Sequence, residues 1–155
     1  MNDPFMYEAI RLSVEKMREG KGGPFGAVVV KDGKIISRGW NEVTTANDPT
    51  AHAEILAIRE ACRMLGTFRL DGCEIYASCE PCPMCLSAIY WARIDRLFFA
   101  ASRQDAAAAG FDDEFLYREI PLPAGERELP SSQLLREEAL AALAEWRTLP
   151  GKIPY

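Results

Sequence analysis

From Pro4 to Glu19, apolar residues fall at Phe5, Ala9, Leu12 and Met17 with charged residues between them, the rhythm of an amphipathic helix. The glycines from Gly20 to Gly23 end that helix. Phe25 to Val30 is an unbroken β-rich run, Lys31-Asp32-Gly33-Lys34 carries a tight-turn signal, and Ile35 to Trp40 reads as the returning strand of a hairpin. A polar loop follows from Asn41 to Thr50. Asp48-Pro49-Thr50 predicts a helix start with Thr50 as cap, and the helix runs over 51–65 to Gly66. Glu74 to Ala77 is a short strand, Pro81 or Pro83 opens a helix to about Ala92, and Asp95 to Ala100 is a further strand. Beyond an alanine-rich stretch and Phe111 the tail is irregular and acidic, with one clear helix around 131–148. Helix, hairpin, helix, strand, helix, strand, helix predicts an α/β fold with helices on both faces of a sheet.

The 155 residues suit one domain, and 48% hydrophobic with 26% charged residues sets disorder aside. No apolar run approaches the ~18 residues of a membrane helix. The opening Met1-Asn2-Asp3-Pro4 is not a charged-then-apolar leader, so the expected setting is cytoplasmic. A net charge of −5 counts against a large phosphate-binding face and hence against a nucleic-acid partner. A single histidine, His52, rules out any two- or three-histidine zinc site within one chain. Five cysteines (62, 73, 79, 82 and 85) are an odd number without an export signal, which reads as reduced thiols, some of them available to a metal.

Two short segments carry the candidate chemistry, Thr50-Ala51-His52-Ala53-Glu54 and Cys79-Glu80-Pro81-Cys82-Pro83-Met84-Cys85. Both fall where a strand or loop hands over to a helix. Cys82 and Cys85, three apart, point to one side of a first helical turn, where the partial positive charge of the helix start favours thiolates. With His52 they make three zinc ligands and leave a fourth position for water. His52 and Glu54 lie on different sides of a helix and converge only if the metal sits beyond its end. Glu54 then stands beside the water rather than on the metal and can move its proton to a substrate. Cys79 leaves a second arrangement open, a closed structural site of three thiolates and His52. The position of Cys79 before Pro81, and the lack of a task for Glu54, weigh towards the open one.

His-x-Glu followed by Pro-Cys-x-x-Cys is the signature of zinc deaminases, with the glutamate as acid and base. The chain therefore resembles the cytidine-deaminase-like superfamily. Within it, Gly22 to Ala27, Asn41, Asn47 to Glu54, Cys79 to Cys85, Ile89 to Arg93, Asp105-Ala106-Ala107, Gly110 to Asp113, Tyr117, Glu119-Ile120 and the terminal Tyr155 resemble the small bacterial guanine deaminases. That resemblance implies a three-layer α/β/α fold around a five-stranded mixed sheet, and hydrolysis of guanine to xanthine and ammonia with one zinc per chain. It also implies a homodimer in which residues 111–155, part of the single domain 1–155, are exchanged between subunits. By the same likeness Asn41 and Asp113 hydrogen-bond the purine, Phe25 and Trp91 line it, and Tyr155 covers it from the partner. The tRNA adenosine deaminases share the 48–54 stretch and the cysteine pair, and are the first rival. Their polynucleotide substrate fits poorly with an acidic chain whose tail has no basic run. A cytosine or nucleoside deaminase is a second rival, and a zinc-stabilised interaction module without catalysis a third, which gives Glu54 nothing to do.

Overall fold

A computed structural model describes residues 3–155. These divide into two compact units, one ending at Asp113 and the other Glu114–Tyr155. In the first unit α1 (Pro4–Arg18) opens with Asp3 as cap, its carboxylate accepting from the Phe5 and Met6 amides at 3.0 Å, and with Pro4 in the first turn, where no amide hydrogen is needed. Strands β1 (Gly26–Lys31) and β2 (Lys34–Trp40) form the expected hairpin. They are followed by the short α2 (Val43–Ala46), α3 (Ala53–Leu65), β3 (Cys73–Cys79), α4 (Pro83–Trp91), β4 (Arg96–Ala101) and α5 (Arg103–Ala108). The sheet order is β2-β1-β3-β4, antiparallel except for the parallel β3–β4 pair.

The alternation along β1 builds the three layers. Val28 and Val30 point to one face and pack with Ala9, Leu12 and Tyr76 under α1. Ala27 and Val29 point to the other and pack with Ala53, Ala57, Ala61, Ile75 and Ile89 under α3 and α4. All four β1 residues are fully buried, and each valine contributes roughly 1.5–3 kcal/mol of apolar burial. The close seating of α3 depends on Gly39. A methyl group there would stand 2.1 Å from the Ala53 carbonyl oxygen and 2.5 Å from the Ala57 nitrogen, so any side chain would lift the start of α3, and His52 with it, off the sheet.

The sheet corrects one expectation. It has four strands among the described residues, not five. After β4 the chain leaves the sheet because Ser102 and Asp105 close a capping box that starts α5. No strand follows, since Pro121, Pro123 and Pro130 deprive the next stretch of ladder donors. Thr50 does not cap α3 either. Its amide and hydroxyl are both taken by Asp48, and His52 holds the cap position. Gly66 ends α3 in the left-handed conformation, as its position after the apolar rhythm predicts.

The second unit comprises α6 (Glu114–Glu119), a 3-10 turn (Ala124–Glu126) and α7 (Arg136–Thr148). Arg127 ties it together by donating to the Leu122 and Ile120 carbonyls, and the Glu119 carboxylate accepts from the Glu128 amide. None of its residues is buried, although Leu129, Leu134, Leu135, Leu143 and Ile153 are large and apolar. No helix among the described residues is long and apolar enough to cross a membrane.

Candidate active site

The parallel strands β3 and β4 end side by side, Cys79 opposite Ala101, and the chain continues from them into α4 and α5. A crevice at the carboxyl ends of parallel strands is where α/β sheets bind ligands. It is a cleft of about 450 Å³, within the range of small-molecule sites.

Two helices begin at its floor. His52 is the cap residue of α3 and Cys82 that of α4, both in extended conformation. Neither side chain caps its own helix; both turn into the cleft instead. His52 Nδ1 lies 3.6 Å from Cys82 Sγ and 3.5 Å from Cys85 Sγ, and the three ligand atoms fall within 4.8 Å of one another. The cap position explains how His52 and Glu54 converge despite facing apart on an ideal helix: His52 is not yet on the helix, and Glu54 lies within its first turn. Glu54 is almost wholly buried, and burial raises its pKa above the ordinary carboxylate value. The Cys82 thiol is lowered to about 4, first by its hydrogen bond with Cys85 and then by its bond to His52, while that same pairing with Cys82 pushes Cys85 strongly upward. The bond to Cys82 raises His52. An imidazole nitrogen and two close thiols, one favouring the anion, are a donor set that suits zinc with one position left open.

Cys79 stands apart from this group. Its thiol donates to the Ser102 carbonyl at 3.6 Å, and burial, followed by the charge of Glu54, raises its pKa to about 11. A thiol turned to a backbone carbonyl and outside the group of three ligand atoms favours the open arrangement over the closed one.

Above the floor, Asn41 is buried with its orientation fixed. Its Oδ1 accepts from the Gly23 and Val43 amides, both at 3.2 Å, so its amide nitrogen is what remains for a ligand. Gly22 lets the loop lie this close, since a methyl group there would meet the Asn41 carbonyl oxygen at 2.2 Å. Phe25 lines the cleft together with Phe111, their rings edge to face at 4.9 Å. Asp113 lines it as well, its carboxyl raised by partial burial.

The other two expected residues are both exposed. Trp91, at the end of α4, is 61% exposed with the Arg93 guanidinium over its ring, and it does not line this cleft. Tyr155 closes the second unit and is 78% exposed. Glu80 lines the cleft although neither spacing nor residue type singles it out, and α2, which brings Val43 and Thr44 to the cleft wall, lies in what reads as plain loop.

The sequence pattern of the cytidine and deoxycytidylate deaminase zinc-binding region matches residues 2–101. The chain belongs to this deaminase family. Among relatives, it is 54% identical to the guanine deaminase of Bacillus subtilis over 154 residues, 99% of each chain. An X-ray structure of that enzyme superposes with a TM-score of 0.96, at 55% identity over 100% of this chain and 99% of the other. The guanine deaminase of Nitrosomonas europaea gives a TM-score of 0.68 at 34% identity, covering 94% of this chain and 85% of the other. The tRNA-specific adenosine deaminase of Aquifex aeolicus is 47% identical over 97 residues only, 63% of this chain and 64% of its own. The deaminase fold and its zinc chemistry therefore extend to this chain, with His52, Cys82 and Cys85 as the residues that fit the metal.

Proposed function

We propose that this chain is a hydrolytic guanine deaminase, converting guanine and water to xanthine and ammonia, with a place in purine breakdown in the cytoplasm. The observation that carries the reading is the pairing of Asn41, which offers only N–H donors, with the carboxylate of Asp113 in one cleft. Guanine has a ring N–H beside the carbon bearing its amine, and acceptors along its far edge. A carboxylate acceptor and an amide donor complement it. Adenine and cytosine have no ring N–H next to the amine-bearing carbon, so a carboxylate placed to accept it meets a ring acceptor instead and repels them.

Zinc, when bound, lowers the pKa of a water molecule and so supplies the nucleophile. The remaining work falls to the chain's own residues. Glu54 takes a proton from the water and gives it to the ring nitrogen, then takes the second proton from the added oxygen and gives it to the departing amine, and its burial favours the protonated form that donation needs. Phe25 and Phe111 wall the base and exclude water.

Ammonia release from guanine, adenine, cytosine, cytidine, guanosine and a tRNA, measured side by side, tests the substrate. Guanine is expected to exceed the other five by at least about 10³-fold in kcat/KM, as expected where buried polar groups read the base. A tRNA or cytosine in first place refutes the reading.

The same proposal includes a homodimer with residues 111–155 exchanged, placing Tyr155 over the partner's base. It is supported by the make-up of the tail, which displays large apolar residues and buries none. Chains truncated before Tyr155 and full-length Glu54→Ala chains are each expected to be nearly inactive alone. Refolded together they form hybrids with one competent site in two, and about a quarter of wild-type activity returns by the symmetry of a two-fold dimer. Baseline activity in hybrids confirmed by mass rules out exchange.

A further inference from the structure

We propose that Glu80 is a positioning residue, whose carboxylate, held two positions before the zinc ligand Cys82, fixes the start of α5 and through it the segment carrying Phe111 and Asp113. The inference rests on the reading of guanine as substrate for its kinetic consequence, but not for its structural one.

The geometry is a short mechanical linkage. Glu80 follows the last residue of β3, and its amide donates to the Ala101 carbonyl at 2.8 Å, which pins it against the end of β4. Its Oε2 accepts from the Arg103 amide at 3.0 Å, in a partly buried position. Cys79 adds a second tie one residue earlier, from its thiol to the Ser102 carbonyl. The start of α5 is thus fastened twice to the loop that delivers Cys82. Only six residues later α5 ends. There the Gly110 amide bonds to the Ala107 carbonyl and the Phe111 amide to the Ala106 carbonyl, so the last turn of α5 determines where Phe111 stands against Phe25 and where Asp113 enters the cleft. A helix this short has little stability of its own. It takes its place from what holds its ends, and Glu80 holds the end joined to the metal loop. The two halves of the site, the zinc cradle and the base-reading segment, come from different strands, and Glu80 spans them.

Arg103 provides a way to cut the linkage without touching the metal loop. It occupies the first position of α5 after an extended Ser102, where proline is accepted and only the amide hydrogen is lost. The zinc-loaded enzyme is compared as wild type, Glu80→Ala, Glu80→Gln and Arg103→Pro, with Arg103→Ala as the reference for the proline. Loss of a hydrogen bond to a charged acceptor sets the expected scale at about tenfold. Glu80→Ala is expected to raise KM for guanine by that factor with kcat within about threefold, and Arg103→Pro to do the same relative to Arg103→Ala. Glu80→Gln, which keeps an acceptor oxygen, restores KM to within about threefold. Combined with Asp113→Ala, Glu80→Ala adds far less than its own factor, because both changes remove one function. Amide hydrogen exchange at Gly110 and Phe111 speeds up in Glu80→Ala and in Arg103→Pro, while the amides of α3 keep their protection.

Unchanged exchange at Gly110 and Phe111, or factors that multiply fully with Asp113→Ala, overturns the proposal. So does a fall in kcat at unchanged KM, the mark of a smaller folded fraction. If Glu80→Ala does not fold, Arg103→Pro decides alone, since it leaves Glu80 and every ligand in place. Faster exchange in a protein whose wild type releases no ammonia from guanine keeps the linkage and discards the substrate.

Discussion

Replacing Glu54 by glutamine leaves a folded, zinc-containing protein that has lost guanine turnover by at least 10²–10⁴-fold, roughly the usual contribution of a positioned acid–base group. Glutamine has nearly the same volume, and Glu54 is buried in the first turn of α3, so the cleft keeps its shape. What disappears is the ability to bind and release a proton next to the ring nitrogen and the departing amine. The loss should fall on kcat more than on KM, because Asn41 and Asp113 still hold the base. Steady-state kinetics with metal analysis of the same sample checks this. Retention of more than about a tenth of the activity, well above what loss of a general acid–base leaves, would show that the proton travels another way.

The second large effect concerns the thiols. Cys85→Ser is expected to reduce zinc from one per chain to less than about a tenth, because two remaining protein ligands do not make a catalytic zinc site. Activity falls with the metal. Cys79→Ser, six residues earlier, keeps the metal at one per chain, since the Cys79 thiol is turned to the Ser102 carbonyl and lies outside the group of three ligand atoms. Elemental analysis of the two variants side by side separates the open site from the closed one. Metal lost from Cys79→Ser would mean three thiolates.

The zinc cradle is legible in the sequence because its information is local. His52 with Glu54, and Cys82 with Cys85, are each set by a few residues around a helix start, and the helix starts are themselves marked by prolines and by the apolar rhythm that follows. The layered sheet is legible for a similar reason, since β1 and β2 are joined by a turn that fixes their pairing. The number of strands is not, because whether a fifth strand joins β4 depends on what the chain does after Ser102, and a capping box decides that locally against extension. Thr50 reads as the cap of α3, but Asp48 captures both its donors and His52 takes that position instead. Glu80 is silent in the sequence because its partner, the Arg103 amide, lies 23 positions away and has no side-chain signature. The exposed place of Trp91 is equally invisible, since an aromatic residue at a helix end reads alike whether it faces a cleft or solvent.

The uncapped starts of α3 and α4 have a consequence for how this protein can change. Asp, Asn and Ser are the residues that best begin a helix, and installing one typically gains about 0.5–2 kcal/mol. His52 and Cys82 occupy those positions in α3 and α4 and provide no such bond. A screen for heat resistance run without zinc, whose binding would offset the gain, is therefore drawn to the very substitutions that abolish the metal site, and it will favour stable, inert proteins unless turnover is selected with it.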